Sequence, residues 1–154
     1  MGLPLEIETE IPPETKPYHT VLPPMLTLHH IGVLVKKLEE AADAYRELRA
    51  TISRPIVISS QGVRVCFADM GASVAIELVE ATEKGVSQDL LKRGITYYHL
   101  GYTVPTFDAA LEELTRLNYV HLQTFQSEAF EGRRCAFLMS PVLHLVEIIE
   151  QGLT

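Results

Sequence analysis

The chain repeats itself, and this internal repeat constrains its fold more than any other feature of the sequence. When the first half is moved along by 69 residues, His30 falls on His99 and Gly32 falls on Gly101. When it is moved by 70 residues, identical residues also pair as Gly62 with Gly132, Arg64 with Arg134, Phe67 with Phe137, Glu77 with Glu147, and Glu80 with Glu150. A repeat of this kind indicates that one structural unit occurs twice in the chain.

Apolar spacing predicts the same order of secondary structure in both halves. Short apolar runs indicate strands, and apolar residues three or four positions apart indicate helices. In the first half the predicted order is a strand, a helix and three strands, at residues 26–35, 38–48, 56–59, 63–68 and 74–79. The second half repeats this order at residues 96–104, 106–117, 120–124, 134–139 and 143–149. We therefore predict an α+β fold of two tandem βαβββ modules.

The repeat also divides the chain into three segments. Residues 1–25 contain six prolines, which favour an extended arm because proline fixes φ and lacks a backbone donor. Residues 26–93 are predicted to hold the first module and a short linker helix, and residues 94–154 the second module.

Charge and composition limit the classes of partner. A formal net charge of −7 disfavours nucleic acid and anionic membranes, because both require a basic protein surface. No apolar run reaches the roughly 18 residues of a membrane span, and the proline-rich arm lacks the basic and apolar regions of a signal peptide. Cys66 and Cys135 each lie alone in an apolar run, which is typical of buried thiols in a reducing compartment. These features predict a cytoplasmic protein.

Four ionisable residues occupy matching positions in the apolar strands of the two halves: His30, Glu77, His99 and Glu147. A single histidine in such a strand is usually a hydrogen-bonded core residue, but a carboxylate there is costly to bury without a cation. If the modules face each other about a pseudo-twofold axis, two imidazoles and two carboxylates meet at one centre. This donor set suits Zn, Mn, Co, Ni or Fe. Four protein ligands leave two positions of an octahedral ion open, as in catalytic metal sites.

Strand alternation separates these four residues from their neighbours. His29 precedes His30 and is expected on the opposite face of the strand, and its counterpart in the second half is Tyr98. His144 lies three residues before Glu147 and is also expected to face away from the centre.

Two arginines are candidates for binding substrate. Arg133 and Arg134 follow Gly132 at the start of a strand. A guanidinium group can hold a carboxylate or phosphate through two hydrogen bonds. The alternative is a solvated pair on the surface.

Several segments resemble the vicinal oxygen chelate superfamily, in the order that this superfamily uses. It includes glyoxalase I, extradiol dioxygenases, bleomycin and fosfomycin resistance proteins, and methylmalonyl-CoA epimerase, which the chain resembles most. The segments are LHHIGVLVKKLEEA, QGVRVCF, VAIELVE, YYHLGYTV, GRRCAFL and HLVEIIE. The resemblance spans residues 26–151 and implies a cupped mixed sheet around a metal site.

The resemblance also implies a function. The superfamily's ligands map onto His30, Glu77, His99 and Glu147, which would hold one divalent ion. It implies an epimerase or isomerase that forms a metal-stabilised enolate, with Glu147 or Glu77 moving the proton, and a homodimeric assembly. The implied substrate is a small molecule, with a CoA thioester or a carrier-linked acyl group as candidates. Three departures from the epimerase pattern concern the substrate and the base more than the metal site. Val65 stands where the epimerase has a non-ligand Glu described as a base, and residues 127–134 (SEAFEGRR) and 140–145 (SPVLHL) also differ.

Other functions stay open at this point. A glyoxalase-type lyase or an extradiol-type dioxygenase would use the same fold. The dioxygenase requires only two histidines and one carboxylate, so Glu77 as a fourth ligand argues against it. A non-catalytic protein that binds or sequesters a small molecule is a further class, and the complete set of four ligands argues for chemistry instead.

Overall fold

The described part of the chain forms one mixed sheet with three helices. The computed structural model describes residues 26–152, so the predicted proline-rich arm at residues 1–25 lies outside the described residues. The first half contains β1 (Thr27–Val35), α1 (Leu38–Glu47), β2 (Thr51–Ile52), β3 (Ile56–Ile58), β4 (Val63–Asp69) and β5 (Ala75–Ala81). After α2 (Val86–Lys92), the second half contains β6 (Tyr97–Val104), α3 (Phe107–Arg116), β7 (Val120–Ser127), β8 (Arg133–Met139) and β9 (Leu145–Glu150). The predicted α+β fold of two βαβββ modules is confirmed.

The sheet has the pseudo-twofold symmetry expected from the repeat. The strand order is β2-β4-β5-β1-β6-β9-β8-β7, and β3 pairs with β4 outside this path. β1 runs parallel to β5, and β6 runs parallel to β9. β1 and β6 pair antiparallel at the centre. Each module therefore contributes one half of the sheet, and the axis that relates the halves passes between β1 and β6.

Helices α1 and α3 cover one face of this sheet, whereas α2 packs with Leu90 and Leu91 on the other. α1 buries Leu38 and Ala42 against Cys66 and Leu78, and α3 makes the corresponding contacts in the second module with Phe107, Ala110 and Leu114. Because side chains alternate along a strand, residues next to those under the helices point to the opposite, concave face. The strands thus carry apolar residues to α1 and α3 on one side and leave the other side for the clustered ionisable residues.

The first turn of each module helix is tied to the last strand of its module. Arg64 forms ion pairs with Glu39 of α1 and Glu80 of β5. Arg134 forms the equivalent pairs with Asp108 of α3 and Glu150 of β9, and its guanidinium group lies 4.5 Å from the centre of the Phe107 ring. The repeated arginine of the sequence therefore has the same structural partners in both halves.

Two register shifts interrupt the central pairing of β1 with β6. One lies between Leu28 and His30, and the other follows the pairing of Gly32 with His99. Each shift leaves one extra residue, His29 in β1 and Tyr98 in β6, as a β-bulge does. Because a bulge breaks the alternation of side chains, His29 lies on the same side as His30, and the prediction that it faces away is wrong.

The structure also bears on the cysteines, on the short strand β2 and on membrane spans. Both cysteines are free and buried, as expected. β2 was not predicted, since two residues carry no periodic signal. No helix among residues 26–152 is long and apolar enough to cross a membrane. The segment boundaries predicted at residues 25/26 and 93/94 stay predictions.

Candidate metal centre

Four side chains from the four central strands converge on one point of the concave face. His30 comes from β1, Glu77 from β5, His99 from β6 and Glu147 from β9. All four are buried, with at most 4% of any residue exposed. One ligand atom of each lies within 4.8 Å of the others, so the structure brings together the complete set that the repeat singled out.

The spacing of these atoms suits a divalent ion. The Nε2 atoms of His30 and His99 are 2.8 Å apart. Each lies 3.1 to 3.3 Å from the Oε2 atoms of Glu77 and Glu147. Ligand atoms placed about 2.1 Å from a six-coordinate ion are about 3.0 Å from their neighbours. The donor set and its spacing therefore fit an ion such as Zn, Co, Mn, Ni or Fe.

The electrostatics of the cluster also favour a cation. Burial by itself would raise the pKa of Glu77 and Glu147, but hydrogen bonds with His30 and His99 reverse this and lower it. Burial would lower the pKa of His30, and its hydrogen bonds with the two carboxylates instead raise it to about 10. Two buried carboxylates thus require positive charge at this point, and protons on the histidines or a metal ion can supply it.

Two glycines make room for the histidine rings. Gly101 lies opposite His30 in the β1–β6 pairing, and Gly32 lies opposite His99. A Cβ atom at Gly32 would lie 2.5 Å from Cε1 of His99, and one at Gly101 would overlap the ring of His30. Each module therefore supplies one histidine and the space for the histidine of the other module.

His29 contacts His30, one of the two histidines of the cluster. Nδ1 of His29 lies 3.0 Å from Nδ1 of His30. A metal on Nε2 of His30 leaves the proton on its Nδ1, which then donates a hydrogen bond to His29. Nδ1 of His99 is buried and has no partner among residues 26–152, so the two histidines of the cluster are not equivalent.

A narrow chamber lies beside the cluster, and a large cavity adjoins that chamber. The chamber has a volume of about 20 Å³, enough for about one water, and Glu77, His99 and Glu147 line it. The cavity has a volume of about 750 Å³. Gln61, Tyr98 and Phe137 line both spaces, so the chamber and the cavity adjoin at these three side chains. The large cavity itself is lined by none of the four clustered side chains.

Comparison with known families identifies the wider group of this chain. The model of the glyoxalase/bleomycin resistance protein/dioxygenase superfamily matches residues 29–137, which is most of the chain and includes His30, Glu77 and His99. The chain belongs to this superfamily. A comparison with curated proteins found no match.

Solved structures of the superfamily share the fold. Methylmalonyl-CoA epimerase from Mycobacterium tuberculosis has a TM-score of 0.75 at 22% identity, over 88% of this chain and 95% of that one. A variant of methylmalonyl-CoA epimerase from Streptomyces coelicolor, in complex with 2-nitronate-propionyl-CoA, has a TM-score of 0.71 at 21% identity, over 84% and 100%. A hypothetical protein from Bacillus halodurans has a TM-score of 0.73 at 23% identity, over 85% and 98%. At these identities the likeness concerns the fold alone.

The two arginines predicted to bind substrate are not part of the cluster. The guanidinium group of Arg134 is held by Asp108 and Glu150 on the helix-covered side of the sheet. Arg133 lines a separate cavity beside His29 and donates to the carbonyl oxygen of Phe130. Their predicted role in substrate binding stays a prediction.

Sequence patterns did not assign Gln61 or His29 to the site, and left Tyr98 open between pocket lining and core packing. Gln61 and Tyr98 line both the chamber and the cavity, and His29 contacts His30. The one available signal was position, since Gln61 precedes Gly62 of the repeat and Tyr98 precedes His99. By contrast, His144 is absent from the group of convergent side chains, in line with its expected orientation.

Proposed function

We propose that this superfamily member is a divalent-metal-dependent epimerase or isomerase that acts through an enolate. The supporting observation is the buried cluster of two histidines and two glutamates beside a narrow chamber that adjoins a cavity of about 750 Å³. Structural metal sites are closed by protein ligands, whereas catalytic sites keep positions open to a substrate. Four protein ligands on a six-coordinate ion would leave two positions open, which gives the site the second character.

The cluster residues divide two tasks in this proposal. His30, His99, Glu77 and Glu147 would hold one divalent ion, which when bound supplies a Lewis acid for two neighbouring oxygens of the substrate. Glu147 or Glu77 would remove the proton from the carbon beside the carbonyl group. The ionisable residues that line the narrow chamber are Glu77, Tyr98, His99 and Glu147, so the candidates for a base near the ion are few.

Tyr98 is better suited to donate a hydrogen bond than to act as the base. Burial, together with the carboxylates of Glu147 and Glu77, raises the pKa of Tyr98 to about 12. Its phenol therefore keeps the proton at neutral pH. Gln61, which lines the same chamber, carries an amide that neither gains nor loses a proton in this range. Proton transfer is left to the two carboxylates, which favours the roles assigned to Glu147 and Glu77.

The proposed substrate is an acyl compound with two neighbouring oxygens, linked to CoA or to a carrier. The names of the structural neighbours support this class, since they include methylmalonyl-CoA epimerases and one complex with 2-nitronate-propionyl-CoA. The outer cavity, at about 750 Å³, is within the range of roughly 300–1,000 Å³ for pockets that hold drug-sized molecules. It is therefore larger than a small free acid needs.

The proposal also includes an oligomeric state and a location. We expect this 17.2 kDa chain to form a homodimer in the cytoplasm. Light scattering during gel filtration measures the mass directly, and a monomer at all concentrations would contradict the assembly.

Proton exchange provides the test of function. Protein loaded with Co(II) is incubated with methylmalonyl-CoA in D₂O, and NMR follows the loss of the α-proton signal. Glu147→Gln is expected to slow exchange by at least about 100-fold, since positioned acid–base groups contribute that much. His144→Ala is the control and is expected to exchange normally.

The outcomes distinguish the classes of function. Exchange with methylmalonyl-CoA supports the proposed reaction and substrate. Metal binding without exchange on this or on related acyl thioesters would contradict the epimerase. Failure to bind metal would instead favour a protein that sequesters a small molecule.

A further inference from the structure

The two modules differ sharply at one position beside the cluster. A short 3₁₀ turn precedes β4 at Ser59–Gln61, and another precedes β8 at Glu128–Phe130. Both turns are followed by a residue with positive φ, Gly62 at 60° and Glu131 at 58°. By their place in these turns, Gln61 and Phe130 correspond, and the second module has one more residue, Gly132, between its turn and its strand. One of the two is a polar amide and the other a large aromatic residue.

Phe130 covers the ring of His30 on one side of the pseudo-twofold axis. Its ring stacks on the ring of His30 with centroids 5.9 Å apart and an angle of 21° between the planes, and only 5% of the residue is exposed. The cavity on this side has a volume of about 420 Å³ and is lined by His29, Phe130 and Arg133 among others, but by none of the four clustered side chains. Unlike the outer cavity, it shares no lining residue with the narrow chamber beside Glu77, His99 and Glu147, so it does not adjoin the metal ligands through that chamber.

Gln61 leaves the other side open and carries a free donor. It borders both the narrow chamber beside Glu77, His99 and Glu147 and the large outer cavity. Its Nε2 atom is buried and has no hydrogen-bond partner among residues 26–152. A buried amide without a partner is destabilising, so a ligand that accepts its hydrogen bond recovers that cost.

We propose that Gln61 is a substrate-binding residue whose Nε2 donates a hydrogen bond to an oxygen of the substrate in the narrow chamber. Together with Phe130 it sets the direction of approach, so that substrates reach the ion only past Gln61, Tyr98 and Phe137. The substrate class is an acyl compound that presents a carbonyl or carboxylate oxygen to Gln61. Its apolar part lies along Leu90 and Leu145 of the outer cavity. This inference rests on the proposed metal-dependent function.

The wall of the outer cavity supports this division of the substrate. Apolar side chains from α2, β7 and β9 line it, including Leu90, Leu122 and Leu145. Its two charged residues, Glu83 and Lys84, are of opposite sign, so the cavity has no net charge to attract an ion. The polar part of a ligand is best satisfied in the adjoining narrow chamber, which Gln61 and three metal ligands line.

A bidentate oxygen ligand tests the proposal. The probe is acetohydroxamate, titrated into the full chain loaded with Co(II), and the visible absorption of the ion reports binding. Gln61→Met keeps the length of the side chain and removes the donor. We expect it to weaken the probe about tenfold and to leave the affinity for Co(II) unchanged. Gln61→Glu replaces the donor with an acceptor and is expected to weaken the anionic probe further.

The matched control is Gln126→Met, the same substitution at an exposed position of β7, and it should bind the probe as the unmodified chain does. Unchanged probe affinity in both Gln61 variants, with a normal Co(II) spectrum, overturns the role of Gln61 and leaves the proposed function intact. If the unmodified chain binds no Co(II), the proposed function fails and this inference fails with it.

Discussion

Gly101 lies directly opposite His30 in the pairing of β6 with β1, and the imidazole occupies the space that a Cβ atom at position 101 would need. The same relationship joins Gly32 to His99. The rings therefore reach the cluster because the facing strand has no side chain at that point. This explains why the sequence repeats glycine two residues after each histidine.

Adding a methyl group at Gly101 is expected to displace His30. Gly101→Ala should destabilise the fold by about 1–3 kcal/mol, as overpacking in a closed core does, and should lower affinity for Co(II) at least about tenfold because the ring moves. Calorimetric unfolding and metal titration measure the two effects. Gly85→Ala is the control, since Gly85 has an extended φ of 171° and nothing within 4 Å of an added Cβ. Equal effects in both variants would contradict the explanation.

Metal binding should stabilise the folded chain. A ligand that binds only the folded state adds about 2.7 kcal/mol at a concentration 100 times its Kd. We expect about one divalent ion per chain, a lower melting temperature after chelation, and recovery when Co, Mn, Ni or Zn is added. His99→Ala should abolish the shift, whereas His144→Ala should preserve it. A melting temperature that none of these ions changes would exclude a metal site.

The contact of His29 with His30 should tune the affinity of the centre. Groups that hold a metal-ligating histidine typically change affinity by 10–100-fold when removed. His29→Leu is therefore expected to weaken Co(II) binding by about that factor without unfolding the chain. His121→Leu, at an exposed histidine of β7, is the control. Co(II) affinity equal to that of the control would show that His29 does not orient His30.

The thiols should be inert in the folded protein. Cys66 is 1% exposed and Cys135 is fully buried, and burial raises the pKa of both thiols. A raised pKa means that less thiolate is present at neutral pH, and the thiolate is the reactive form. A disulfide reagent should therefore detect both thiols in denaturant and react only slowly without it. Rapid reaction of either thiol in the native protein would contradict this burial.

The repeat made much of the fold predictable. Two copies of one element order predicted the paired modules, and the matching positions of Glu77 and Glu147 in the two copies predicted that these side chains would meet. These inferences succeed because they depend on local periodicity and on symmetry, both of which are written in the sequence. The four clustered residues are a product of the same symmetry.

The details beside the cluster were not predictable in this way. The orientation of His29 depends on a register shift between β1 and β6, strands that are distant in sequence, so alternation within β1 alone gave the wrong face. Gln61 belongs to a 3₁₀ turn and matters because of the cavities it separates. Neither a bulge nor a cavity leaves a periodic pattern, and a single sequence contains no other record of them.

The pseudo-twofold axis between β1 and β6 affects which amino-acid substitutions can occur beside a metal centre of this kind. In a dimer of two identical modules, any substitution appears on both sides of the axis, so both approaches to the ion must be alike. A single chain that holds two copies of the module has no such restriction. Glutamine at position 61 and phenylalanine at position 130 can occur together only because the two halves are encoded separately. Duplication and fusion thus allow a symmetric ligand set to present unlike sides to an asymmetric molecule.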